Sequence, residues 1–161
     1  MTQKRGSQPI LVPVDFSDYS RAALLQASEL SACLGQPIVV LHVVHDPADM
    51  PGYYSRVTKK KKIAHIQDLA KEAFDQFISE TLAQHPNIGQ LQRAKTRLVM
   101  GLPVSRILEM IDKTGASMVV MGSQGRTGMR HIMLGSKAEQ IVRLSPVPVL
   151  IVKNPIKAAE A

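Results

Sequence analysis

Short apolar runs alternate with amphipathic stretches along the chain, and this pattern predicts strands and helices in turn. Pro9–Asp15 and Pro37–Val44 are rich in β-branched residues, which predicts strands buried on both faces. Gln92–Met100 alternates between apolar and polar positions, as a half-buried edge strand does. Met118–Met121 and Val147–Val152 bring the number of predicted strands to five.

Four stretches with apolar residues at helical spacing predict helices. They are Ser20–Leu34, Ile63–Leu82, Ser105–Thr114 and Ser136–Leu144. Ser17 or Asp18 is placed to cap the first helix, and Pro103 is placed to begin the third. Gly35 and Gly115 follow helix ends, where glycine accepts the left-handed conformation that stops a helix.

The alternation of strand and helix predicts an α/β fold with one open, parallel, five-stranded sheet and helices on both faces. Pro148 has no N–H for a ladder, so the last strand is expected at an edge. Ligands of such sheets bind beyond the carboxyl ends of the strands, where the winding reverses. If the strands that end at Asp15 and Gly122 are neighbours, both residues face that crevice.

Composition favours a single domain, because 161 residues with 45% apolar side chains can bury a core. No apolar run approaches the ~20 residues of a membrane span, and the polar start of the chain predicts a cytoplasmic protein. Net charge is +7, which suits an anionic partner. Cys33, the only cysteine, cannot form an internal disulfide and is expected to be a small buried side chain.

The residues from Met121 to Ser136 read MGSQGRTGMRHIMLGS and join a strand to a helix. Glycines at a strand end followed by a helix start can form an anion site. In this interpretation a hydroxyl caps the helix, and Arg126, Arg130 and His131 lie in the insert. The spacing fits neither a Walker A loop nor a dinucleotide fingerprint, and the alternative is a surface loop with turn glycines.

Four separated motifs resemble the universal stress protein family: PVDFS, LHVV, VMGLP and MGSQGRTG…LGS…VPVLIV. The similarity covers about residues 9–153, which leaves 1–8 as a flexible start and 154–161 as a tail. The spacing G-x-x-G-x9-G-[S/T] at Gly122, Gly125, Gly135 and Ser136 matches the nucleotide-binding branch of that family. The resemblance implies a strand order of 3-2-1-4-5, bound ATP or another adenine nucleotide, and Mg²⁺ or Mn²⁺ held mainly by the phosphates.

The resemblance also implies where the ligand and a second copy bind. Asp15 and the backbone at Val43 are expected at the adenine end, and the glycines with Ser136 at ribose and phosphates. The expected ATP-binding set is Pro13, Val14, Asp15, Val43, Met121, Gly122, Ser123, Gly125, Arg126, Gly135, Ser136 and Lys137. Relatives often carry an apolar residue where Lys137 stands, so this lysine either contacts phosphate or faces solvent. A homodimer is expected through Val147, Val149, Leu150 and Ile151 of the last strand.

The function predicted is that of a nucleotide-responsive stress module. A slow ATPase or nucleotidyl-transfer enzyme is the first alternative, although no pair of carboxylates for acid–base work is evident. A nucleotide-free module that uses the basic patch Lys59–Lys62 is the second, although no nucleic-acid-binding motif accompanies the patch, and no nucleic-acid partner is expected. Asp15 taken alone fits a helix cap, and His42 with His45 could form a metal pair, although a packed His42 is favoured.

Overall fold

A computed structural model describes residues 8–45, 59–125 and 134–153, with the side chains of 59–63 left out. The predictions for the two termini, for Arg126, Arg130 and His131, and for the side chains of Lys59–Lys62 lie outside these residues. In the described ranges, none of the helices combines the length and hydropathy needed to cross a membrane.

The centre of the molecule is one five-stranded parallel sheet of order β3-β2-β1-β4-β5. The strands are β1 Ile10–Pro13, β2 Ile38–Val44, β3 Lys95–Met100, β4 Met118–Gly122 and β5 Val149–Val152. The predicted order and both predicted edges are confirmed. Because β1 and β4 are neighbours, Asp15 and Gly122 follow adjacent strands at the carboxyl edge of the sheet.

The sheet is covered on both faces, as the parallel topology requires. The helices are α1 Asp18–Leu34, α2 Lys59–Gln84, α3 Gly89–Gln92, α4 Pro103–Thr114 and α5 Ser136–Leu144. Alternate residues of β1 point to opposite sides: Ile10 and Val12 pack with α1 and α2, whereas Leu11 packs with α4 and α5. The centres of β1, β2 and β4 are fully buried, which explains their unbroken apolar sequence.

The caps account for most helix boundaries. Ser17 is the N-cap of α1, and its hydroxyl accepts a hydrogen bond from the Ser20 amide at 3.2 Å. Gly35 and Gly115 end α1 and α4 in the left-handed conformation, as predicted. Helix α2 is one turn longer at its start than predicted, and α3 was not predicted because a four-residue helix leaves no periodic signal.

Strand β5 begins two residues later than the sequence pattern suggested. The hydroxyl of Ser145 donates to the Val147 carbonyl and accepts from the Val147 amide, so a local turn holds this residue outside the strand. Pro148 then contributes its carbonyl, which accepts from the Val119 amide at 2.9 Å. The strand proper starts at Val149, where N–H groups become available to the ladder.

The prediction of a buried Cys33 is wrong, because its side chain is exposed. The stripe of α1 that faces the core does not include Cys33. This buried stripe consists of Ser20, Ala22, Ala23, Leu24, Ala27, Ser28 and Ser31. Three of its members are serines, and their hydroxyls bond main-chain carbonyls, as the Ser28 hydroxyl does with Leu24. Apolar residues alone therefore do not reveal which face is buried.

Candidate functional site

A cleft of about 470 Å³ opens at the carboxyl ends of β1, β2 and β4, on the side of the sheet that α4 and α5 cover. Its described lining includes these residues: Pro13, Val14, Asp15, Ser20, Leu41, His42, Val43, Val44, His45, Pro103, Ile107, Met121, Gly122, Gln124, Gly125, Gly135, Ser136, Lys137 and Ala138. Ten of the twelve residues expected at a nucleotide site are therefore brought together. The cleft lies where the winding direction reverses, as open α/β sheets dictate.

Asp15 is held just beyond the carboxyl end of β1 by the residue that caps the next helix. Its Oδ1 accepts from the Ser17 amide at 3.1 Å and from the Ser17 hydroxyl at 2.5 Å. The capping role that the sequence left open belongs to Ser17, so Asp15 supports the cap rather than forming it. Its other oxygen, Oδ2, turns toward Gly125, which leaves a charged carboxylate along the wall of the cleft.

Gly122 at the end of β4 and Gly125 just beyond it are needed for different close approaches. A Cβ on Gly122 would lie 2.8 Å from Tyr19 Cβ and 2.9 Å from the Tyr19 carbonyl, so this glycine lets the end of β4 pack on α1. A Cβ on Gly125 would lie 2.7 Å from Asp15 Oδ2. Gly122 is therefore a packing residue that also borders the cleft, whereas Gly125 leaves space for the Asp15 carboxylate.

Helix α5 points its amino end into the cleft without a side-chain cap. The capping position is Gly135, and Ser136 is the first helical residue, so the prediction of a hydroxyl cap is wrong. Ser136 and Lys137 are exposed in the first turn. The first N–H groups of a helix lack partners within it and carry a partial positive charge, which makes this end suited to an anion.

Ser123 takes a structural position instead of lining the cleft. It is 3% exposed, its amide donates to the Val152 carbonyl at 2.9 Å, and its carbonyl accepts from the Gly135 amide at 2.7 Å. The second bond ties the start of α5 to the end of β4. Ser123 therefore sets the distance between the glycine turn and the helix end that flanks the cleft.

Val43 presents backbone groups to the cleft because β1 ends early. Pairing of β1 with β2 ends at Pro13 and Leu41, and the Leu41 carbonyl accepts from the Val14 amide at 2.8 Å. Backbone direction alternates along a strand, and the Val44 carbonyl turns the other way to accept from Gly101 at 3.0 Å. The N–H and C=O of Val43 therefore face the side that β1 has left, where the cleft begins.

Several lining residues were missed because nothing local in the sequence marks them as facing the cleft. Pro103 and Ile107 come from the start of α4, and His45 follows β2. Only the crossover that places α4 beside α5 brings them to the cleft. In the described part of the chain no group of three or more histidine, cysteine or acidic side chains could hold a metal ion, so His42 and His45 form no larger ligand set. Arg126, expected at the phosphates, lies outside the described residues.

Comparison with known proteins agrees with this fold. The family model of the universal stress protein family matches residues 6–153, nearly the whole chain. The chain belongs to the universal stress protein family. Its complete glycine spacing, from Gly122 to Ser136, follows β4 and leads into α5.

Individual universal stress proteins resemble the chain over most of their length. Universal stress protein MJ0577 of Methanocaldococcus jannaschii is 26% identical over 161 aligned positions, which cover 90% of this chain and 94% of the relative. The solved structure of MJ0577 has a TM-score of 0.73 at 25% identity and covers 91% and 96% of the two chains. A universal stress protein from Archaeoglobus fulgidus, solved in complex with dAMP, has a TM-score of 0.57 at 25% identity and covers 91% and 98%.

Proposed function

We propose that this universal stress protein binds ATP in the cleft between β1, β2, β4 and α5, and that it acts as a nucleotide-responsive regulatory module in the cytoplasm. The observation that carries the proposal is the convergence of Asp15, the Gly122–Gly125 turn and the uncapped amino end of α5 on one cleft. The Archaeoglobus fulgidus relative solved with dAMP supports an adenine nucleotide as the ligand.

In this proposal the adenine lies at the end of β2. The backbone of Val43 offers a donor and an acceptor side by side, and adenine carries the complementary acceptor N1 and donor N6 on one edge. Apolar side chains of Leu41 and Ile107 line the same part of the cleft and would cover the faces of the base. Asp15 is then positioned to accept from a ribose hydroxyl, as a carboxylate does when it reads a sugar.

The phosphates are placed at the amino end of α5. Backbone N–H groups, the helix dipole and the ammonium group of Lys137 all favour negative charge there. Asp15 is the one carboxylate in the described lining, and a single carboxylate is a poor cage for a divalent cation. A Mg²⁺ or Mn²⁺ ion would therefore be held mainly by the phosphates and would supply charge neutralisation.

A homodimer through β5 completes the proposal. Strand β5 lies at the edge of the sheet, and Leu150 on it is 39% exposed. Val149, Ile151 and Val147 pack partly against the protein's own core, so Leu150 and the open ladder would supply the contact. Leu144 at the end of α5, 59% exposed, lies next to this edge in sequence and extends the apolar surface.

Isothermal titration with ATP and Mg²⁺ tests the site, using Asp15→Asn and Asp18→Asn as a matched pair. Asp18 is an exposed carboxylate three residues away that does not line the cleft. We expect Asp15→Asn to raise Kd about tenfold, which corresponds to about 1.4 kcal/mol, and Asp18→Asn to leave Kd unchanged. Equal affinity for all three proteins would refute the assignment. Turnover of ATP that disappears in Asp15→Asn would favour the slow enzyme instead.

A further inference from the structure

Phe16 has a backbone conformation that large side chains rarely adopt. Its φ is +66°, and it is the only non-glycine residue with positive φ in the described part of the chain. A strained residue of this kind persists only where the surrounding structure enforces it. Phe16 stands between Asp15, which faces the cleft, and Ser17, which caps α1.

An aromatic cluster on the opposite face of the sheet holds Phe16 in place. We use this name for Phe16, His42, Phe74 and Phe77. The Phe16 ring stacks on His42 with centroids 4.1 Å apart and planes 28° apart, and lies 6.0 Å from Phe74 and 5.5 Å from Phe77. Phe74 and Phe77 belong to α2 and are each 3% exposed. Helix α2 therefore contacts the β1–α1 turn through a packed set of rings.

The aromatic cluster is connected to the nucleotide cleft by a hydrogen bond of His42. His42 Nδ1 lies 2.8 Å from the Val14 carbonyl, and because this partner is an acceptor the nitrogen must donate. His42 lines both the nucleotide cleft and a second cleft of about 480 Å³ beside α2. The residue before Phe16 is Asp15 and the residue before that is Val14, so two cleft residues are set by the turn that the cluster enforces.

We propose that helix α2 positions Asp15 for the nucleotide through the aromatic cluster, with Phe16 and Phe74 as positioning residues. The inference rests on the proposed function for the ligand and goes beyond it, because it makes the adenosine end of the site depend on a helix on the other face of the sheet. By linkage the dependence is reciprocal, so a nucleotide bound at Asp15 stabilises the docking of α2. Nucleotide binding is then coupled to the position of α2 and to the surface that α2 presents.

Phe74→Leu separates positioning from direct contact with the ligand, since Phe74 contacts Phe16 and His42 within the cluster and lines neither cleft. Leu91→Ala is the matched control: Leu91 is 2% exposed in the same core, but α3 precedes β3 and so lies at the opposite end of the sheet. We expect Phe74→Leu to raise Kd for ATP and AMP by the same factor, about tenfold, because the loss is at the adenosine end. Competition by inorganic tripolyphosphate should not change.

Two further readouts decide between positioning and loosening of the core. In a double-mutant cycle, Asp15→Asn should raise Kd for ATP by a several-fold smaller factor in the Phe74→Leu background than in wild type. In the Leu91→Ala background it should raise Kd by the same factor as in wild type. Without any ligand, the Ser17 amide, which donates to Asp15, should exchange its hydrogen several-fold faster in Phe74→Leu and in Phe16→Gly, and at the unchanged rate in Leu91→Ala.

These outcomes distinguish a failure of the proposed function from a failure of the positioning role. If the wild-type protein does not bind ATP, the proposed function fails, and the exchange rate of the Ser17 amide still decides whether α2 positions the turn. The positioning role is overturned if Phe74→Leu binds ATP with wild-type affinity. It is also overturned if Asp15→Asn raises Kd by the same factor in both backgrounds. Unchanged exchange at Ser17 in Phe74→Leu overturns it as well.

Discussion

Gly122 and Gly125 belong to one sequence motif, yet the structure predicts opposite consequences for the same substitution. Neither glycine has a φ in the left-handed region, so alanine is allowed by the backbone at both positions. What differs is the neighbour that a new methyl group would meet. At Gly122 it is the backbone of Tyr19 in α1, and at Gly125 it is the end of the Asp15 side chain.

Gly122→Ala is expected to destabilise the fold. Contacts of 2.8 Å with the Tyr19 Cβ and 2.9 Å with its main-chain carbonyl force β4 and α1 apart, and overpacking of this kind costs about 1–3 kcal/mol. Restriction of the unfolded chain by alanine offsets about 0.4–1 kcal/mol of this cost. The net loss of about 1–2 kcal/mol, with an m-value of about 2 kcal/mol per M, lowers the urea midpoint by about 0.5–1 M.

Gly125→Ala is expected to spare stability and weaken binding. Its methyl group meets one carboxylate oxygen at 2.7 Å, and a side-chain end can rotate away. The urea midpoint should stay within the equivalent of about 0.5 kcal/mol of wild type. The displaced Asp15 should raise Kd for ATP about tenfold, or about 1.4 kcal/mol. Urea unfolding and titration of both variants check the pair. A Gly122→Ala protein as stable as wild type, or a larger stability loss in Gly125→Ala, would refute the reasoning.

Three further predictions concern charge and assembly. Lys137→Gln should raise Kd for ATP about five- to tenfold and leave Kd for AMP unchanged in titrations, because the ammonium serves the outer phosphates. Leu150→Lys should convert a dimer into a monomer in sedimentation, and a monomeric wild type would contradict the β5 interface. Hydrogen bonds from Lys113 and Arg106 lower the pKa of Glu109 below its usual 4.5. The stability that ionised Glu109 adds through these bonds is therefore present above pH 4.5 and is lost as the pH falls through the lowered pKa. The difference in Tm between wild type and Glu109→Gln should vanish below that lowered pKa.

Much of the fold was predictable because burial leaves a periodic mark on the chain. β1, β2 and β4 are covered on both faces, so nearly every residue is apolar, whereas β3 at the edge is exposed over its first three residues and only partly buried over its last three. Glycine, proline and serine marked the helix ends correctly at Ser17, Pro103 and Gly115, since these residues act on their own local backbone. The strand order itself came from resemblance to a family and not from this pattern.

The cleft was only partly predictable. The glycine spacing from Gly122 to Ser136 pointed to the side of the cleft between β4 and α5, because close approach to the backbone leaves a signature of small residues. Pro103, Ile107 and His45 carried no such signature, and the crossover connections alone bring them to the cleft. Ser123, which shares the motif, proved to be a buried structural residue.

The sequence by itself determined which segments form the buried strands, the helix boundaries at Ser17, Pro103 and Gly115, and that glycines lie between β4 and α5, because each depends on residues close together in the chain. Only the tertiary structure decided which face of α1 is buried, that Gly122 makes room for Tyr19, and that Phe16 is held by rings from α2. These features depend on which distant backbone or side chain comes close. Local patterns record that a residue is buried, and they do not record what it is buried against.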